Sequence, residues 1–212
     1  MNHAAVIFAS DHSVACWVDS AEDCVSAHVL ITKHCFVVVS DSAFRDLVHA
    51  SLPIDGSVEE TLAAVRTAVE SAKNPDDTPV VGFLNVVAGG VVDGVPEIKA
   101  FGHPNFPIIR DFPLGLVEGD GALTAHFNYL RATVGSVIRS EQDAIDFVVL
   151  YGQMLGSLPV NMSRSGTVAV ARHDEPPSFL GLDELKDSRM RNRERLRRFQ
   201  QLVAVWPKWV RS

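Results

Sequence analysis

The sequence predicts an α+β protein folded as a four-layer αββα sandwich with a C-terminal basic helical tail, and three observations predict it. Short β-branched runs come in groups, and pairs of helix-period segments separate the groups. Two helix pairs need two faces to cover, which two stacked, mostly antiparallel sheets supply. The charge is also divided: residues 1–182 hold ten Lys/Arg against 22 Asp/Glu, and residues 183–212 hold nine against four. On this basis residues 1–175 form the sandwich domain and residues 176–212 the tail.

Each element has its own signal. Residues 4–9 (AAVIFA) and Val14 to Val18 are apolar runs broken by Asp11-His12-Ser13, which predicts a tight hairpin ending near Asp19. Residues 29–32 and 35–40 read as a second hairpin around Lys33-His34, their β-branched content favouring strand. From Ser42 the period becomes helical through Phe44, Leu47, Val48 and Ser51, and Pro53 stops that helix. Ser57-Val58-Glu59-Glu60 is a capping box that opens the next helix, with Val58, Leu62, Val65, Val69 and Ala72 on its buried face. Residues 79–89 read as a strand buried on both faces, and 91–103 as a turn at Asp93-Gly94 followed by a strand. Residues 104–113, with three prolines, read as a loop. After the 113–117 strand, Gly119-Asp120-Gly121 opens a helix with Leu123, Phe127, Leu130, Val134 and Val137 on one face. Ser140 to Asp143 caps another, striped by Ile145, Val148, Val149, Gly152 and Leu155, and residues 166–172 are the last clear strand.

Composition narrows the function classes. A chain of 212 residues with 47% hydrophobic content supplies one real core. No apolar run approaches a membrane span, and no basic-then-apolar leader opens the sequence. Three cysteines, odd in number and without framework spacing, are expected to be reduced thiols in a cytoplasmic protein. The arginine-rich run 186–198 has no aromatic interleaved until Phe199, and the acidic body repels nucleic acid, so nucleic-acid binding is not expected. The tail suits an acidic protein partner or a neighbouring subunit instead, with Leu196, Phe199, Leu202, Val203 and Trp206 as an apolar stripe.

Three runs fall in one order: the hairpin over 4–19, PLGLVEGDGALTA over 113–125, and SRSGTVAVAR over 163–172. In that order and spacing the chain resembles the proteasome β-type subunits, which have the Ntn-hydrolase fold, across roughly residues 3 to 175. The resemblance implies a threonine-type peptidase whose free α-amine activates its own hydroxyl. It also implies a homo-oligomer, ring or stacked ring. Carried over position by position, the nucleophile falls on His3, the strand-end aspartate on Asp19, the lysine on His28, and the turn serine on Asp120. The aspartate and serine before the last core strand fall near Pro159 and Met162, with Ser163 and Ser165 close by. Only Asp19 matches. Losing nucleophile, base and lysine together should abolish the chemistry. The expectation is therefore a degenerate, non-catalytic subunit that keeps Met1 and serves assembly, scaffolding or binding. The alternative is an active peptidase or amidohydrolase with a rearranged nucleophile, Ser10, Ser13 or Cys16, working with Asp19 and His28.

Other chemistry is not supported. Cys24, His28, His34 and Cys35 contain no C-x-x-C pair and sit on strand-like sequence, where i and i+4 stand far apart, so neither metal nor cofactor is expected. Ser10, Asp11 and Ser13 suit turn hydrogen bonds better than a hydrolase set. Glu118 and Asp120 put negative charge where a phosphate would need positive charge.

Overall fold

The computed structural model describes residues 5–19, 28–40, 44–73, 78, 84–112, 115–118, 139–155 and 166–204. These residues form an α+β structure with two antiparallel five-stranded sheets and four helices. The strands are β1 (Ala5–Ala9), β2 (Ser13–Asp19), β3 (His28–Ile31), β4 (Cys35–Val39), β5 (Leu84–Val92), β6 (Val95–His103), β7 (Phe106–Asp111), β8 (Gly115–Glu118), β9 (Gly166–Arg172) and β10 (Ser178–Phe179). The helices are α1 (Arg45–Ser51), α2 (Val58–Ser71), α3 (Glu141–Leu155) and α4 (Leu182–Ala204). The first sheet has the order β10-β9-β2-β1-β8 and the second β3-β4-β5-β6-β7.

The near-continuous apolar runs follow from burial on both faces of each sheet. In the first sheet Val6, Phe8, Ala15, Trp17, Val168 and Val170 pack with α3, while Ala5, Ile7, Val14, Cys16, Val18 and Ala169 point the other way. The second group meets Phe36, Val38, Val87, Ile98 and Ala100 of the second sheet in one apolar cluster. The opposite face of the second sheet, through Val37, Val39, Leu84, Val86 and Phe101, packs with Val48 of α1 and with Val58, Leu62, Val65 and Val69 of α2. Period-two alternation thus decides which cluster each side chain joins.

Local signals account for the boundaries. The β1–β2 turn is held by Ser10, whose Oγ accepts from the backbone N–H of Ser13 at 3.0 Å and of His12 at 3.3 Å. The capping box of α2 is complete: Glu60 N–H donates to Ser57 Oγ at 3.3 Å, and Ser57 N–H donates to Glu60 Oε2 at 2.9 Å. Ser140 and Asp143 make the same reciprocal pair at the start of α3, each bond 3.1 Å long. The β5–β6 hairpin turns on Asp93 (φ 50°) and Gly94 (φ 78°), two positive values in succession as a two-residue turn between twisted strands requires.

Two expectations are corrected. Residues 104–113 are not a loop, because Phe106–Asp111 pairs with β6 as the outermost strand of its sheet. Pro107 is tolerated there because an edge strand needs no amide on its open side. The buried stripe of α3 is also wider than its helical period suggests: Ala144, Phe147, Leu150, Tyr151 and Met154 are buried as well. The reason is that α3 is covered twice, by β1, β2 and β9 on one side and by α4 on the other. The helix expected after Gly119-Asp120-Gly121 lies outside the described residues, as do 79–83 of the expected 79–89 strand. Of the tail, Ser178–Phe179 pairs with β9, and Leu182–Ala204 is one helix.

Candidate functional site

The antiparallel registers decide which residues share an end of the sheets. Ala5, the first residue of β1, stands opposite Val18 on one side and Glu118, the last residue of β8, on the other. Asp19 closes β2 opposite Gly166, which opens β9. Four chain segments therefore present their termini together. In the second sheet His28 opens β3 opposite Val39, and it is half-buried. The other end of that sheet, at Lys33, His34 and Val91, lines one cleft with Arg172 and His173 at the far end of β9. The two sheets thus stack face to face with these ends together, and His28 opens β3 at the end away from that cleft. His3 and Asp120 lie outside the described residues, together with Pro159, Met162, Ser163, Ser165 and Cys24.

The residues of the rearranged-nucleophile alternative do not come together. Ser13 opens β2 and Asp19 ends it, so six residues of strand, or about 20 Å, separate them. Ser10 and Ser13 are 8% and 1% exposed, and their hydroxyls lie 2.8 Å apart inside the turn they hold. Cys16 is buried between the sheets, and that burial pushes its thiol up to about 12, so no thiolate forms near neutral pH. The cysteine–histidine set is also dispersed. Cys35 is buried under α2, its thiol raised by burial and hydrogen-bonded to Thr32 and Thr61, while His34 beside it points to the surface. No group of three or more metal-ligating side chains is gathered among the described residues.

The opposite end of the sheets carries a feature that sequence reasoning missed. A cleft of about 350 Å³ is lined by His34, Asp55, Ser57, Val91, Asp93 and His173. Asp55, in the α1–α2 loop, accepts from Lys33 Nζ at 2.8 Å and also pairs with His34 Nε2. Lys33 first, then His34, holds the Asp55 carboxyl below the usual carboxylate range. His173 pairs with Asp174 at 2.5 Å, and its ring sits so close to the β5–β6 turn that a Cβ on Gly94 would fall 2.8 Å from its Cδ2. Arg172 is clamped by Glu141 through Nη2 at 2.7 Å and Nε at 2.9 Å. These groups lie on segments remote in sequence, so spacing gives no signal for them.

No helix among the described residues is long and apolar enough to cross a membrane. No family model matches the chain, and no curated protein matches it.

Proposed function

We propose that the chain is a proteasome-like Ntn-hydrolase-fold protein in the four-layer αββα arrangement. On this reading it is a degenerate, non-catalytic, homo-oligomeric subunit that serves assembly, scaffolding or partner binding. The observation that carries the proposal is that the start of β1, the end of β2 at Asp19, the end of β8 and the start of β9 lie side by side at one end of the first sheet. That is the juxtaposition the sequence resemblance implies for an N-terminal-nucleophile site. Three apolar clusters, one between the sheets and one under the helices of each outer face, support the layering. The loss of chemistry is supported by the burial and dispersal of Ser10, Ser13 and Cys16.

The test is covalent labelling of the pure protein. A threonine-directed epoxyketone, a fluorophosphonate and iodoacetamide should each leave the native intact mass unchanged at Ser, Thr and the buried thiols. Fluorogenic peptides should turn over at background rate. A stoichiometric adduct at a Thr or Ser, with matching peptide cleavage, would sink the non-catalytic reading. Light scattering tests assembly separately, and a monomer at micromolar concentration would reject the subunit role.

A further inference from the structure

One side of α4 is exposed among the described residues. The helix docks on α3 through buried Ser188 and Asn192, the latter donating from Nδ2 to the Asp146 carbonyl at 2.6 Å. Arg191 reaches back to Asp146 with Nε–Oδ2 at 2.8 Å. On another side of the helix, Leu182, Lys186, Arg189, Met190 and Arg193 recur at helical spacing within an arc of about 100°. All five are exposed, Leu182 at 85% and Met190 at 71%. Lys186, Arg189 and Arg193 make no hydrogen bond or ion pair among the described residues. A helix side that combines exposed cations with large exposed apolar side chains has the make-up of a docking surface.

Its complement stands elsewhere on the same molecule. Lys99 is the shared partner of three carboxylates: Glu59 at 2.7 Å, Asp111 at 3.4 Å and Glu97 at 3.8 Å. Among the described ion pairs, one ammonium faces these three carboxylates, an excess of two negative charges. Glu59 is 67% and Asp111 78% exposed. The loop leading into α2 adds Ile54, 92% exposed, next to the helix turn that bears Glu59. This patch belongs to α2, β6 and β7 on the second sheet, whereas α4 lies over α3 on the first sheet. A chain cannot bring the two together within itself.

We propose that the Leu182–Arg193 side of α4 docks on the Glu59–Glu97–Asp111 patch of a second copy of this chain, joining copies head to tail. The contact pairs different surfaces of the two copies, so each bound copy still offers one free surface of each kind. The proposal rests on the homo-oligomeric reading above and assigns its interface.

Light scattering on the full chain at micromolar concentration and about 150 mM salt tests it. Arg189→Glu with Arg193→Glu, and separately Glu59→Lys with Asp111→Lys, should each weaken association by about tenfold or more. Mixing the two reversed proteins should restore it, because each then meets an opposite charge. Leu182→Ser with Met190→Ser should weaken association without altering charge, and circular dichroism shows that each variant is folded. An oligomeric wild type indifferent to all three variants would overturn this interface while leaving the homo-oligomer standing. A monomeric wild type would overturn both. No recovery on mixing would overturn the head-to-tail pairing. Retention of a single-stranded oligonucleotide, lost on reversing Arg189 and Arg193, would reassign the stripe to nucleic acid.

Discussion

Replacing Gly152 by alanine should destabilise the protein, although the same change in an exposed helix stabilises by about 1 kcal/mol. Gly152 lies inside α3, where it passes over Trp17 of β2. A Cβ there would fall 2.3 Å from Trp17 Cε2 and 2.5 Å from both Cδ2 and Nε1. The indole cannot slide away, because a Cβ on Gly166 would lie only 2.0 Å from Trp17 Nε1 and the ring is 3% exposed. Two close approaches therefore fix the ring. Overpacking of this kind costs roughly 1–3 kcal/mol, and a rigid ring held on two sides places it at the upper end. After the propensity gain the net loss is about 1–2 kcal/mol, read as a lower urea midpoint at unchanged slope. The control is the same change in a Trp17→Leu background. The shorter side chain leaves room for the methyl group, so there Gly152→Ala should be neutral or stabilising. A Gly152→Ala variant as stable as wild type, with Trp17 present, would refute the account.

Other outcomes follow from the same structure. Cys16 and Cys35 should react with a thiol reagent only on unfolding, since both are buried and their thiols are raised; rapid native labelling of either, located by peptide mass, would contradict this. Burial pushes the Asp146 carboxyl up, but Arg191 and Ser188 more than offset it, so its folded pKa is lowered. Its stabilisation is therefore present above the unfolded value of about 4 and is lost as the pH falls through the lowered folded value. Asp146→Asn should flatten that part of the urea midpoint against pH curve, and an unchanged curve would count against the Asp146–Arg191 pair. Ser57→Ala removes one half of the α2 capping box and should cost about 1 kcal/mol in urea unfolding, whereas no change would show that the cap contributes nothing.

The elements were legible where one local rule decides them. The β1–β2 hairpin, the two capped helices and the Asp93-Gly94 turn each follow from a few adjacent residues. The 104–113 segment misled because proline content outweighs β-branched content in a local reading, and only its place at a sheet edge makes Pro107 acceptable. The width of the α3 stripe was hidden for a related reason: helical period reveals one buried face, and α4 buries a second. Of the site residues, Asp19 was legible as a strand end. Where His28 stands depends on the pairing of β3 with β4 and on how the two sheets stack, which no spacing encodes.

The cleft at the far end is better explained as a fastening than as a reaction centre. Most of the charged groups in or beside it are engaged with one another: Asp55 with Lys33 and His34, Asp174 with His173, and Glu141 with Arg172. What the Asp55 contacts secure is the loop between α1 and α2, drawn onto the β3–β4 turn. That loop carries Ile54 and runs directly into the turn of α2 that bears Glu59. The fastening therefore fixes where an exposed apolar side chain stands relative to an exposed carboxylate. The carboxylate patch proposed to receive α4 is in this way held from both sides, by Lys99 beneath Glu59 and by Asp55 ahead of it. An interface of this kind gains from such preorganisation, because ordering the loop during association would offset part of the binding energy.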